Sequence, residues 1–210
     1  MSDARGGIVL AGGSSSRMGR PKELLEWNGV PLLAHVVEIV ATGTGGPVVV
    51  VRAAGQALPP LPGSVEIIDD EVPGRGVLAG IATGLRHLAG AVGVAYASAV
   101  DMPLLQPPFV RRICDAVTGG VEIALPSAGG YIQPLASAYR TSLAPLATRL
   151  VGEGALRPAD LFAVARTLLL DEEALLADAE LRRCDPELES LLNVNDPGEW
   201  ARIRAISSQS

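Results

Sequence analysis

One stretch near the start of the chain constrains it more than any other. A short apolar segment, Gly7–Leu10, reads as a buried strand and runs straight into LAGGSSSRMGRPKELL, which ends at Leu25. A strand that opens into paired glycines, here Gly12 and Gly13, can turn successive backbone N–H groups toward one anion. Arg17, Arg20 and Lys22 bring positive charge to the same loop. Together these features suit the phosphates of a nucleoside triphosphate. The loop is neither of the two common phosphate loops. A Walker loop needs Lys directly after Gly and then Ser or Thr, whereas Gly19 is followed by Arg20, Pro21, Lys22 and Glu23. Gly12-Gly13-Ser14 also lacks the G-x-G-x-x-G spacing of a dinucleotide site. The same residues would also suit a solvated, glycine-rich surface turn.

Strand and helix patterns alternate along the chain. Strands are predicted over Gly7–Leu10, Pro47–Val51, Val65–Ile68, Val94–Val100 and Val121–Leu125, and helices over Pro31–Val40, Leu78–Leu88 and Pro107–Val117. Leu32, Leu33, Val36, Val37 and Val40 recur at helical spacing, and Pro31 suits a helix start. Continuous apolar strands alternating with helices predict the α/β class, with a mostly parallel sheet and helices on both faces. Past Gly129 the pattern weakens. Gln133–Tyr139 and Arg166–Leu170 are predicted strands, Ser142–Val151, Asp160–Ala165 and Pro197–Ile206 predicted helices, and the acidic stretch 171–190 is unassigned. No repeat or long linker divides the chain, so a single domain is expected over 1–206, with 207–210 a disordered tail.

Composition excludes several classes. With 210 residues, 48% hydrophobic and 19% charged, the chain can bury a substantial core. Its formal net charge of −6 argues against nucleic-acid binding, which favours a basic surface. No apolar run is long enough for a membrane span, and the first residues do not resemble a secretion signal. A cytoplasmic location with reduced thiols is therefore expected. Cys114 and Cys184 lack metal-ligand spacing, and Cys114 reads as a buried thiol in a helix. The two histidines, His35 and His87, also fall in helical patterns and read as structural.

The polar residues that remain fall just after strands: Gly12 after the first, Asp70 after the third and Asp101 after the fourth. Ligands of open α/β sheets bind outside the carboxyl ends of the strands, so these three should share one edge. Asp101 heads Asp101-Met102-Pro103, and Pro103 holds Met102 extended. A carboxylate at a strand end suits Mg²⁺, which takes one or two carboxylates and completes its shell with phosphate oxygens and water. Capping the next helix is the other role open to Asp101. Lys22 is a flexible point charge fit for a triphosphate. Arg17 is a second such cation, or the partner of Glu23 or Glu26 in a surface ion pair.

The sequence resembles the molybdenum cofactor guanylyltransferase family, within the nucleotidyltransferases that carry an L-A-G-G…R-M-G…K signature. The resemblance rests on Leu10–Lys22, Val77–Gly80 with Asp70 ahead of it, Asp101-Met102-Pro103, Gln133-Pro134-Leu135 and Asn193-Val194-Asn195. It implies a three-layer, Rossmann-like nucleotidyltransferase fold. It also implies Mg²⁺-dependent transfer of GMP from GTP to the terminal phosphate of molybdopterin, releasing pyrophosphate. The implied nucleotide-binding residues are Leu10, Ala11, Gly12, Gly13, Arg17, Gly19, Lys22, Asp70, Leu78, Gly80 and Asp101. Lys22, Asp101 and Arg17 would be catalytic, and Asp101 would hold the metal. Gln133, Asn193 and Asn195 would line the side of the second substrate, or serve as turn and cap residues. Asp69 competes with Asp70 for the nucleotide contact. Hand-off of the product to molybdoenzymes or their chaperones is implied as well. Two features depart from the guanylyl pattern. Pro21 is reminiscent of related cytidylyl enzymes, and Val51 and Arg52 stand where some guanylyl relatives carry asparagine. The alternatives are therefore cytidylyl transfer, another phosphorylated acceptor such as a sugar phosphate or phospholactate, and a nucleotide-binding regulatory protein without turnover.

Overall fold

Apolar and β-branched runs supply the strands. In the computed structural model, which describes residues 4–12, 21–72 and 74–207, they assemble into one large sheet. Its strands are β1 (Arg5–Leu10), β4 (Val48–Arg52), β5 (Glu66–Asp69), β6 (Val94–Ala99), β7 (Ile123–Ala128), β9 (Ala136–Arg140) and β10 (Thr167–Leu170), in spatial order β10-β7-β9-β6-β1-β4-β5. A short strand, β8 (Tyr131–Ile132), pairs with the end of β7. β1 lies parallel to both β4 and β6, β4 parallel to β5, and β7 parallel to β10. β9 runs against both β6 and β7. A separate two-stranded ribbon joins β2 (Glu26–Trp27) and β3 (Val30–Pro31).

Because side chains alternate across a strand, β1 feeds two cores. Val9 and Ala11 pack with α1 (Leu32–Thr44) and α3 (Pro107–Asp115), and the same core takes in Leu175 of α6 (Glu172–Leu176), Leu181 of α7 (Ala179–Cys184) and Ile203 of α8 (Pro197–Ser207). Ile8 and Leu10 pack with α2 (Gly76–Leu88), α4 (Ala144–Gly152) and Leu161 of α5 (Pro158–Phe162). The expected mostly parallel sheet with helices on both faces is the fold observed. Among the described residues, no helix is long and apolar enough to cross a membrane.

The second half departs from expectation in detail. The strand predicted over Gln133–Tyr139 is split. Its first residues form a turn in which the Gln133 carbonyl accepts from Ala136 N at 3.0 Å and from Ser137 Oγ at 2.7 Å. β9 then starts at Ala136 and runs antiparallel. The unassigned acidic stretch forms α6 and α7, each capped by an aspartate. Asp171 accepts from Ala174 N and Asp178 from Leu181 N, both at 2.8 Å. Ser207 belongs to α8 rather than to a tail, and 208–210 lie outside the described residues.

Close approach of α2 to β1 depends on glycine. A Cβ at Gly84 would stand 2.6 Å from Ile8 Cγ2, and one at Gly80 would stand 3.1 Å from Leu10 Cδ2. Gly84→Val should therefore lower the unfolding free energy by about 1–3 kcal/mol, measured by urea denaturation. Gly63→Ala, where a Cβ meets nothing within 4 Å, should stay within about 0.5 kcal/mol of the parent.

Candidate active site

The carboxyl ends of β1, β4 and β6 open onto a cleft of about 400 Å³. Leu10, Ala11 and Gly12 continue β1 along one wall, with Val51, Arg52 and Ala53 from β4 beside them. Ala99, Val100 and Asp101 leave β6 on the other side, and Gly76, Val77 and Gly80 bring the start of α2 to the cleft. Gly12, Asp70 and Asp101 all border it, so the shared edge expected from the strand pattern is the one observed.

Lys22 and Asp101 meet inside this cleft. Lys22 lies in a single 3₁₀ turn, Lys22–Leu24, and its Nζ donates to Asp101 Oδ2 at 2.7 Å. The two side chains are only 16% and 17% exposed. Lys22 Nζ also donates to Asn195 Oδ1 at 3.2 Å. The Asn193–Asn195 segment is held there by its backbone, because Val194 N donates to the Asp101 carbonyl at 2.9 Å and Val194 is fully buried. Helix capping near Asn195 falls to its neighbour instead: Asp196 Oδ1 accepts from Gly198 N and Glu199 N. Asp101 caps no helix, since α3 begins only at Pro107.

Of Asp69 and Asp70, only Asp70 borders the cleft. Asp69 Oδ1 accepts from Arg52 Nε at 2.7 Å and does not border the cleft. Asp70 does, and its Oδ1 accepts from Val72 N at 3.1 Å and Thr83 Oγ1 at 3.4 Å. Two other expectations shift by register. Leu78 is fully buried in the α2 core and its neighbour Val77 borders the cleft instead, while Gly80 borders it as expected. Gln133 shapes the turn before β9 with its backbone, and Leu135 is the residue of that motif that reaches the cleft. Asn193 is half-buried. Gly13, Arg17 and Gly19 lie outside the described residues.

Some contributors were not legible in the sequence. Glu23, next to Lys22, is buried and borders the cleft. It accepts from Gln56 Nε2 at 2.6 Å, across 33 positions of sequence. His35 on α1 places its Nε2 at 2.9 Å from the Pro103 carbonyl, two residues beyond Asp101. A carbonyl only accepts, so Nε2 carries the hydrogen. Trp27 packs against His35 at 6.1 Å and against Trp200 of α8 at 5.5 Å between ring centroids. His87 pairs instead with Glu66 on the surface. The Cys114 thiol is buried, as expected, and burial pushes it up to about 12. Among the described residues, no cluster of three or more His, Cys, Asp or Glu could hold a metal by itself.

The MobA-like NTP transferase domain, as a family, matches residues 7–169, from β1 into β10. The chain belongs to this family. A protein of Mycobacterium avium (strain 104), named "Probable molybdenum cofactor guanylyltransferase", is 40% identical over 185 residues, covering 84% of this chain and 92% of its own. One of the same name from Mycobacterium tuberculosis (strain ATCC 25618 / H37Rv) is 43% identical over 152 residues, covering 70% of this chain and 74% of its own. The crystal structure of molybdopterin-guanine dinucleotide biosynthesis protein A from Archaeoglobus fulgidus matches with a TM-score of 0.76 at 25% identity, over 98% of this chain and all of that one. As a MobA-like NTP transferase the chain is a nucleotidyltransferase.

The His35 contact has a consequence for pH. Burial lowers the imidazole below its ordinary value of 6.5, against the raising effects of the Pro103 carbonyl and the Glu38 charge. The unfolded chain takes up this proton first as pH falls. The contribution is therefore complete above about 6.5 and is lost as pH drops through the folded-state value. The unfolding free energy should decline below about pH 6.5, and His35→Gln should flatten that decline. An unchanged slope in the variant would show that His35 is not its source.

Proposed function

We propose that this nucleotidyltransferase moves GMP from GTP to the terminal phosphate of molybdopterin, releasing pyrophosphate and forming the guanine dinucleotide cofactor. The observation that carries the reading is the Lys22–Asp101 pair in a cleft at the carboxyl ends of the parallel strands. The names borne by the relatives from Mycobacterium supply the acceptor and the base.

The chemistry asks little of the protein beyond alignment and charge. A phosphate monoester has a second pKa of about 6, so the acceptor is largely dianionic near neutral pH and can attack the α-phosphorus without a dedicated base. This accords with a cleft that no histidine borders among the described residues. Lys22 would neutralise charge developing toward the departing pyrophosphate. Asn195, already bonded to Lys22, would hold that ammonium in place as it changes partners. Asp70, fixed by Thr83 and the Val72 amide, would accept hydrogen bonds from the nucleoside. Val77 and Gly80 would pack against it. Arg17, Gly13 and Gly19, in the segment that follows Gly12, would contribute to the same nucleotide.

The donor set fits Mg²⁺. Asp101 offers one carboxylate at a strand end, no group of three or more His, Cys, Asp or Glu forms a closed metal cage among the described residues, and Mg²⁺ accepts one or two carboxylates when phosphate oxygens complete the shell. When bound there it would supply Lewis-acid neutralisation of the phosphates.

Lys22→Ala and Asp101→Asn should each lower turnover by at least about tenfold, since removing one such stabilising group typically costs 10²-fold or more. The assay is pyrophosphate release with GTP and molybdopterin as substrates. Activity retained in both variants would refute the assignment.

A further inference from the structure

Adjacent residues in the turn after Pro21 face opposite sides of the cleft. Lys22 is tied to Asp101 beyond β6, whereas Glu23 is tied through Gln56 to the ends of β1 and β4. Glu23 is 6% exposed and borders the cleft beside Ala11, Arg52 and Ala53. A carboxylate buried this far needs hydrogen-bond donors. The side-chain amide of Gln56 provides one, at 2.6 Å, while its second N–H goes to the Ala11 carbonyl at 3.0 Å and its oxygen accepts from Ala53 N at 3.1 Å. Both donors and the acceptor of Gln56 are thereby used, and the carboxylate is held rigidly against two strand ends. An ionised carboxylate has about four acceptor positions, so the one bond that Gln56 gives it among the described residues leaves most of them for a ligand. Arg52, which also borders the cleft, is committed to Asp69 and to the Gln56 backbone carbonyl.

We infer that Glu23 is the residue that reads the base, accepting the N1–H and the 2-amino group of guanine together. This rests on the guanylyl reading above. Guanine presents two adjacent donors on one edge, which a carboxylate can take in a bidentate pair. Adenine and cytosine present one donor next to an acceptor, which would face the carboxylate unfavourably. Gln56 acts as the positioning residue: it fixes the carboxylate and the first residues after β1 and β4 in one network.

The test is calorimetric titration of the parent chain, Glu23→Gln and Glu23→Asp with GTP, ITP, CTP and inorganic tripolyphosphate, all with Mg²⁺. ITP lacks only the 2-amino group. The parent should bind GTP at least about tenfold more tightly than ITP, the discrimination typical of a bidentate contact. Glu23→Gln should narrow this to within about twofold, and Glu23→Asp, which keeps the charge but withdraws it by one methylene, should narrow it as well. Tripolyphosphate affinity should be unchanged in both variants. A GTP-to-ITP ratio that stays at the parent value in both variants would make Glu23 a brace for the loop and overturn the inference alone. A parent chain that prefers CTP would overturn the inference together with the guanylyl reading.

Discussion

The Lys22–Asp101 ion pair is the contact on which the rest of the site depends. It joins the segment after β1 to the segment after β6, and Asn195 adds the chain just ahead of α8. These three pieces lie 79 and 173 positions apart in sequence. Neither charge is well solvated, and a pair of this kind repays its desolvation only where geometry and further hydrogen bonds are good. Among the described residues the ammonium bonds to the Asp101 carboxylate and the Asn195 amide oxygen, and the Asp101 backbone carbonyl is bonded as well. In the proposed reaction this paired, partly buried cation would exchange a carboxylate for the triphosphate.

The fold holds this pair from behind. Trp200 on α8, Trp27 on the small ribbon, His35 on α1 and the Pro103 carbonyl form a continuous packed chain under the Asp101 segment. On the opposite wall, Gln56 ties Ala11 to Glu23 and Ala53. The glycines of α2 bring the start of that helix down onto β1, which closes the third side. α1, the Gln56 segment and α2 come from three successive connections between parallel strands, and α8 follows the last strand. The arrangement therefore rests on the parallel topology, which delivers strand ends to a single edge.

Much of this was legible in the chain itself. Parallel strands read as apolar runs, so β1, β5 and β6 could be located, and with them Gly12, Asp70 and Asp101 just after their ends. Of Asn193-Val194-Asn195, Asn195 reaches Lys22 and Val194 holds the segment to the Asp101 carbonyl. What stayed hidden is tertiary in origin. The Gln56–Glu23 bond depends on how a proline-rich loop folds back, which no local periodicity encodes. Leu78 and Val77 differ by one helical position, and only the packing of α2 decides which faces the cleft. The break at Gln133 reflects a turn held by Ser137 Oγ, a side-chain bond that competes with strand pairing. The caps at Asp171 and Asp178 had a sequence signal, but helices only five and six residues long leave little periodicity to detect.

The most direct measurement follows the α-phosphate itself. GTP labelled at the α-phosphorus would be incubated with Mg²⁺, molybdopterin and the protein, and the label traced by chromatography. The account predicts that label passes from GTP into the molybdopterin dinucleotide as unlabelled pyrophosphate is released, with little transfer from CTP under the same conditions. Transfer from CTP but not from GTP, or label that stays in the triphosphate, would contradict it.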